Sequence, residues 1–210
     1  MKLYVFAVAP NPTKVRLYLA EKRAAGGEFP LEEVMVNLVK GEQRLPEHLA
    51  RNPFGKLPVL ELDAGSYLTE SLAIIEYLEE LRPDPALIGR GAIERARVRE
   101  LERIADLGVL AAVAYIVHAT RSPLGLPPQP EVAALFRDRL PRSLEVLEAK
   151  LADGRPFLAG EKPSVADCTL AAAFQFARFG GVELEARFQG LARWDRAYRE
   201  RPAARSVLTL

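Results

Sequence analysis

The run RNPFGKLPVLEL, residues 51–62, reads as a strand except for Pro58 in its interior. Proline has no N–H to give a ladder, so a strand interior is a poor place for it. A cis Leu57–Pro58 bond would resolve the conflict by turning the chain. It would also leave the backbone N–H and C=O of Leu57 free for a ligand. Glu70-Ser71 opens a helical run, where an acid and a hydroxyl either complement the helix N-terminus or serve a ligand there. Asn11 before Pro12 is a favoured N-cap arrangement at the start of an earlier helix. The two histidines are His48, in a loop-like stretch, and His118, in a helical one. His118 is the right type for a general base near neutral pH. Ser122, four residues on, shares its face if the helix extends that far. Cys168 is the single cysteine, so no internal disulfide can form. It falls inside a helical run and reads as a small core residue.

These residues depend on the elements that carry them. Residues 2–9 are apolar on both faces, as a buried strand would be. Val15, Tyr18 and Leu19 follow Asn11 at helical spacing. Residues 32–38 alternate like a strand, with Val34, Val36 and Leu38 on one face, and 41–53 reads as a short irregular helix or loop. Residues 57–62 and 66–69 flank Asp63-Ala64-Gly65, a hairpin signal. The helix begun by Glu70-Ser71 carries Leu72, Ile75 and Leu78 on one face and ends at Pro83. This βαβ–ββα order predicts a right-handed parallel crossover plus an antiparallel hairpin, hence a mixed sheet. Residues 83–91 read as a linker. Beyond it the pattern is helical: 92–120, with Gly108 its only Gly or Pro; 131–152; a helix capped by Ser164 with Asp167 three on, an approximate capping box; and 191–200. The expected architecture is an α/β domain at 1–82 and an all-α domain at 92–210.

Of the 210 residues, 49% are apolar, enough for a sizeable core. Lys and Arg total 29 against 28 Asp and Glu, which gives no electrostatic reason to expect nucleic acid or an anionic membrane. The N-terminus lacks signal-peptide features, and no apolar run reads as a membrane span. The expectation is a cytoplasmic protein.

Asn52-Pro53-Phe54-Gly55-Lys56-Leu57-Pro58-Val59-Leu60, then Glu70-Ser71, then Ser164-Val165-Ala166-Asp167 follow one another in register. In this order and spacing the whole chain resembles the soluble glutathione transferases. The resemblance implies a thioredoxin-like N-terminal domain with a four-stranded mixed sheet and a helical C-terminal domain that shapes an electrophile pocket. It implies a homodimer that uses glutathione as co-substrate without a metal. Leu57 would pair with the cysteinyl backbone of glutathione beside a cis Pro58. Glu70 would meet the γ-glutamyl ammonium, and Ser71 its carboxylate. Lys56 falls where the family places a polar side chain near the ligand. Gln43 and Arg44 match a polar pair that reaches the glycyl carboxylate. Phe54 resembles an aromatic knob inserted into the partner subunit.

Such an enzyme must hold a thiolate. A free thiol has a pKa near ~8.5, and lowering it by about two units takes roughly 2.7 kcal/mol. Ala9 stands where relatives carry the activating hydroxyl or thiol. Val5 falls near the family's strand tyrosine, and Tyr4, one residue off, points to the other face and into the core. Asn11 resembles the asparagine that contacts sulfur in the Nu-class and related bacterial enzymes, and its amide can donate to a thiolate. The 9–22 and 41–53 segments look most like a bacterial branch related to atypical yeast transferases, in which a His and a Ser of the helical domain hold a water. His118 and Ser122 are the candidates here, with Tyr115, His118 and Arg121 lining the electrophile pocket. The Ser-Ser-Cys motif of zeta-class isomerases is missing, which disfavours that activity. The competing readings are a Nu-like glutathione-dependent disulfide-bond reductase and a non-catalytic glutathione-binding protein.

Overall fold

Four strands, β1 (Lys2–Val5), β2 (Glu32–Met35), β3 (Val59–Glu61) and β4 (Tyr67–Leu68), form one mixed sheet in the order β2-β1-β3-β4. The computed structural model describes residues 1–27, 29–63, 65–184 and 186–210; Ala64 of the expected hairpin turn lies outside them. β1 pairs in parallel with β2, Tyr4 opposite Val34, and antiparallel with β3, Leu3 opposite Leu60. β3 pairs antiparallel with β4, Leu60 opposite Leu68. Leu3, Val59 and Leu60 are fully buried. The strands are shorter than their apolar runs because loops claim the ends. After Val5 the chain turns, with Ala9 N–H donating to Phe6 O at 3.1 Å. After Met35 the Asn37 N–H is taken by Glu42 Oε2 at 2.6 Å.

Helix α1 spans Pro10–Ala24. Its N-cap is Ala9, not Asn11, which corrects the capping role expected from Asn11-Pro12. The reason is that Pro10 suits the first helical position as well as Pro12 does. Thr13 then closes the end from inside the helix: its N–H and its hydroxyl both donate to Ala9 O, at 3.0 and 2.9 Å. A short 3-10 turn (Glu42–Arg44) and helix α2 (Pro46–Leu49) occupy the irregular stretch, and α3 runs Ser71–Leu81.

The second half is helical. Helix α4 (Gly91–Arg103) continues without a break through a π-helical segment, Ile104–Leu110, into α5 (Ala111–Arg121). There follow α6 (Pro130–Lys150), α7 (Val165–Gly180), α8 (Gln189–Arg199) and a short α9 (Pro202–Arg205) that the sequence pattern does not mark. Position 108 in the π segment takes glycine because α6 crosses close by: a Cβ there would clash with Ser143 Oγ. The stretch Gly91–Arg121 is long and apolar enough to cross a membrane by length and composition, contrary to the sequence reading. Its Val98, Leu101, Ala105, Val109, Val113, Ile116 and Val117 are instead buried in the protein core. Ser164 caps α7, its N–H and hydroxyl both donating to Asp167 Oδ2, at 2.9 and 2.8 Å. Asp167 Oδ1 accepts Leu158 N–H and Trp194 Nε1–H, each at 2.9 Å.

Helix α1 joins the two halves through buried charges. Lys14 Nζ lies 2.5 Å from Glu102 Oε1 of α4, and both side chains are fully buried. Thr169 of α7 donates its hydroxyl to the same oxygen at 3.2 Å. Lys22 Nζ meets Glu79 of α3 at 2.6 Å and donates to the carbonyls of Arg82 and Pro85. Glu79 in turn accepts Tyr18 Oη–H and the N–H groups of Leu87 and Ile88. Arg201 grips Glu21 through two hydrogen bonds, 2.9 and 2.7 Å. Removing one partner of a buried pair strands the other charge without water. Glu102→Ala is therefore expected to cost about 3–5 kcal/mol, a fall in Tm of roughly 10 °C for a chain of this size. The double change Lys14→Met with Glu102→Leu should recover most of that loss. Chemical denaturation of the two variants beside the wild type checks this; a loss below about 1 kcal/mol for Glu102→Ala would mean that water reaches the pair.

Candidate active site

A cleft of about 760 Å³ opens between the α/β half and the helical half. One wall carries Asn11, Lys56, Glu70 and Ser71. The other carries Leu107 and Leu110 of the π segment, then Ala111, Ala114, Tyr115 and His118 of α5. Leu126, Gln129 and Val132 close one end.

Two helix N-termini meet on the first wall. Glu70 is the N-cap of α3, with φ 66°, among the described residues the only positive φ outside glycine. That region costs a non-glycine residue about 1–3 kcal/mol, and such strain concentrates at functional sites. Ile74 N–H makes the first helical bond, to Glu70 O at 3.0 Å. The N–H groups of Ser71, Leu72 and Ala73 have no partner among the described residues. They form the positive end that anions favour. At α1 the sequence thins the same array of donors. Pro10 and Pro12 have no N–H, and Thr13 N–H is bonded to Ala9 O. Asn11 N–H is the one backbone donor left in that first turn. Ser71 Oγ–H donates to Asn11 Oδ1 at 3.0 Å and so links the two helix ends.

The loop before β3 is held by its own polar side chains. Asn52 Nδ2 donates to Lys56 O at 3.0 Å, and His48 Nε2 lies 3.2 Å from the same carbonyl. Phe54 N–H returns to Asn52 Oδ1 at 3.1 Å. Gly55, at φ +60°, brings the turn so close to Gln43 O that a Cβ would sit 3.0 Å from it. The Leu57–Pro58 bond that follows is cis. Among the described residues neither the N–H nor the C=O of Leu57 has a hydrogen-bond partner.

The candidates do not all gather in one place. Asn11, Lys56, Glu70, Ser71, Tyr115 and His118 line the cleft. Leu57 and Pro58 do not line it: Pro58 is buried, and Leu57 is half-buried against Tyr4, Val36 and Val59. Gln43 is buried in its loop and Arg44 is exposed; neither lines the cleft. Phe54 is 78% exposed. Arg121 is a correction: as the last residue of α5 it lies past the end of the cleft, exposed, with Nη1 3.9 Å from the Cβ position of Gly181. Arg103 and Asp106 also line the cleft and were not anticipated. They bond each other at 2.9 Å, and Asp106 lies 3.6 Å from Lys14 Nζ. Gly108, alone in its long helical run, was the sequence signal that this stretch is unusual.

The titratable groups separate clearly. Tyr4 donates to Glu61 at 2.5 Å and packs with Val36 and Val59, away from the cleft. Burial, with help from Glu61, pushes its phenol up to about 12. Cys168 is buried 3.6 Å from Tyr198 Oη, and burial pushes its thiol well above the ordinary value. Neither is placed to react in the cleft. His118 is half-buried, with Nδ1 3.1 Å from Ser122 Oγ, which also accepts Leu124 N–H. Tyr115 stacks on Phe136, ring centroids 4.2 Å apart and planes 8° from parallel. Among the described residues no group of three or more His, Cys, Asp or Glu could hold a metal ion.

A sheet of this order with an adjoining helical domain, and a cleft between them on which two helix N-termini meet, defines a thioredoxin-like fold with a cleft suited to an anionic ligand. The family model for the glutathione S-transferase N-terminal domain matches residues 3–86, and that for the C-terminal domain matches 129–198. Glutathione S-transferase 2 of Saccharomyces cerevisiae is 32% identical over 217 residues, covering 100% of this chain and 90% of its own. The crystal structure of Gtt2 from Saccharomyces cerevisiae superposes with a TM-score of 0.88, 32% identity, and 99% and 100% coverage of the two chains. A glutathione S-transferase of Methylobacillus flagellatus, solved with glutathione bound, gives 0.83 at 28% identity, with 100% and 99% coverage. The chain belongs to the soluble glutathione transferase family and is a glutathione transferase.

Burial lowers the pKa of His118 from its ordinary 6.5. The folded state therefore binds this proton less readily than the unfolded chain. Stability from this residue is whole above about pH 6.5 and falls as pH drops from there through the lowered folded value. His118→Gln should flatten that part of the stability profile and leave stability above pH 7.5 nearly unchanged. Thermal unfolding between pH 5 and 8 checks this; an unaltered slope would show that His118 is solvated.

Proposed function

We propose that glutathione docks along the first wall, with its cysteinyl backbone on Leu57 beside Pro58. Glu70 takes the γ-glutamyl ammonium, and the N-terminus of α3 at Ser71 takes its carboxylate. Lys56 lies beside the ligand, and Gln43 and Arg44 reach the glycyl end only if that loop closes over it. The sulfur then faces the first turn of α1, where Asn11 offers its backbone N–H and its side-chain amide. Charge-assisted hydrogen bonds of this kind favour the thiolate over the thiol. The observation that carries the reading is the convergence of Asn11, Lys56, Glu70 and Ser71 on a cleft whose opposite wall is apolar.

The second substrate is a hydrophobic electrophile lying against Tyr115 and the aliphatic face of α5. A water held by His118 and Ser122 relays the thiol proton to the His118 imidazole, which burial keeps neutral and able to accept it. The thiolate then forms a bond to the electrophilic carbon, and the displaced pair leaves with the leaving group or, in an addition, takes up a proton. Phe54, exposed on the monomer, serves as the anchor of a homodimer. The names of the relatives favour this transferase over disulfide reduction or simple binding.

Thiolate absorbance of bound glutathione, titrated from acid to mildly alkaline pH, tests the activation. The bound thiol should titrate about two units below free glutathione, and Asn11→Ala should return about one of them, roughly a tenfold loss of kcat/KM near pH 6.5. Glu70→Ala should weaken glutathione binding at least tenfold. Unchanged affinity in that variant would remove the whole site from this cleft.

A further inference from the structure

We propose that Ser71 is a positioning residue for thiol activation: its hydroxyl holds the Asn11 carbonyl oxygen and so turns the Asn11 amide N–H groups toward the glutathione sulfur. The proposal rests on the reading of Asn11 above. Its basis is the 3.0 Å bond from Ser71 Oγ–H to Asn11 Oδ1, between residues 60 apart in sequence. A serine hydroxyl has one proton to donate, and here it goes to Asn11. The γ-glutamyl carboxylate is then held by the backbone N–H groups of Ser71, Leu72 and Ala73, which have no partner among the described residues.

The first turn of α1 explains why one amide needs such control. With Pro10 and Pro12 unable to donate and Thr13 N–H bonded to Ala9 O, the donors left to the sulfur both belong to Asn11. A primary amide is nearly symmetric in shape but not in charge. Turned by half a rotation, it would set its oxygen lone pairs against the thiolate. The bond from Ser71 selects the orientation that donates. Ser71 stands at the first position of α3, and among the described residues its hydroxyl's hydrogen-bond partner is Asn11.

The test is the thiolate titration of bound glutathione in Ser71→Ala, Ser71→Thr, Asn11→Ala and the double alanine variant. Binding of S-methylglutathione, whose sulfur cannot ionise, is measured alongside. Ser71→Ala should raise the bound thiol pKa by about one unit, as Asn11→Ala does. The double variant should add nothing further, since one hydrogen-bonded unit has been lost in each. Ser71→Thr should restore the wild-type value, and S-methylglutathione affinity should change less than about threefold in Ser71→Ala. Asn11→Asp keeps the acceptor for Ser71 but has no amide N–H, so it should raise the pKa at least as far as Asn11→Ala. That variant carries the test should Ser71→Ala fail to fold, and a value at or below wild type would overturn the proposal. An unshifted thiol in Ser71→Ala, with S-methylglutathione bound tenfold more weakly, would put the hydroxyl on the ligand carboxylate and overturn it. Additive shifts in the double variant would do the same. An unshifted thiol in Asn11→Ala would end the sulfur role of Asn11 and this proposal with it, while S-methylglutathione binding still reports on the glutathione site by itself.

Discussion

The fully buried pair of Lys14 and Glu102 is the contact on which the rest of the molecule turns. It makes α1 a member of both halves of the chain. One turn before Lys14 on the same helix lies Asn11, and two turns after it lies Lys22, which holds Glu79 of α3. Ser71 begins that same α3. The Asn11–Ser71 contact is therefore set by two helices locked to each other by charge at their far ends and tied to the helical half near the cleft. Buried pairs contribute little net stability, because desolvation offsets attraction. Their effect is selective: any other packing of α1 would leave an ammonium or a carboxylate dry and alone.

The cleft inherits its chemistry from that arrangement. Two helix N-termini face one wall, and their free N–H groups favour anions without a formal positive charge. The opposite wall supplies a neutral imidazole and aliphatic surface, so it solvates an apolar molecule and leaves charge to the first wall. Arg103 and Asp106 are joined at 2.9 Å and bring no net charge to the floor. On the proposed reading, a thiolate formed there meets donors on one side and apolar surface on the other, the conditions under which each hydrogen bond to it counts most.

Much of this was legible in the residues. Pro58 inside a strand pattern marked the turn before β3, and that bond is cis. The spacing of His118 and Ser122 foretold a contact that the structure has at 3.1 Å. Ser164 with Asp167 read as a cap, and Tyr4 as core, and both lie so. Other features were hidden for physical reasons. Two prolines two residues apart each suit a helix start, and the sequence does not say which wins; Pro10 did, which moved Asn11 into the helix. Lys14, Lys22, Glu79 and Glu102 resemble surface charges in any amphipathic pattern, and only tertiary packing shows them dry. Arg121 was expected to line the pocket, but the helix ends there and its side chain leaves toward Gly181 at the end of α7.

The π-helical segment Ile104–Leu110 also escaped the pattern, since its apolar residues still recur at near-helical spacing. It has a geometric consequence. A residue's direction on a regular helix advances about 100° per position, so a wider turn resets the phase of everything after it. Tyr115 and His118 face the cleft only with that offset in place. The seven residues of the wide segment wind about as far as six of a regular helix, so removing one from 104–110 and restoring regular winding would leave both facing the cleft, whereas regular winding of all seven would turn them away. The make-up of the α5 wall is in this sense tied to the length of the chain before it, and an insertion or deletion that the wide segment did not absorb would recast it in one step where point substitutions would need several.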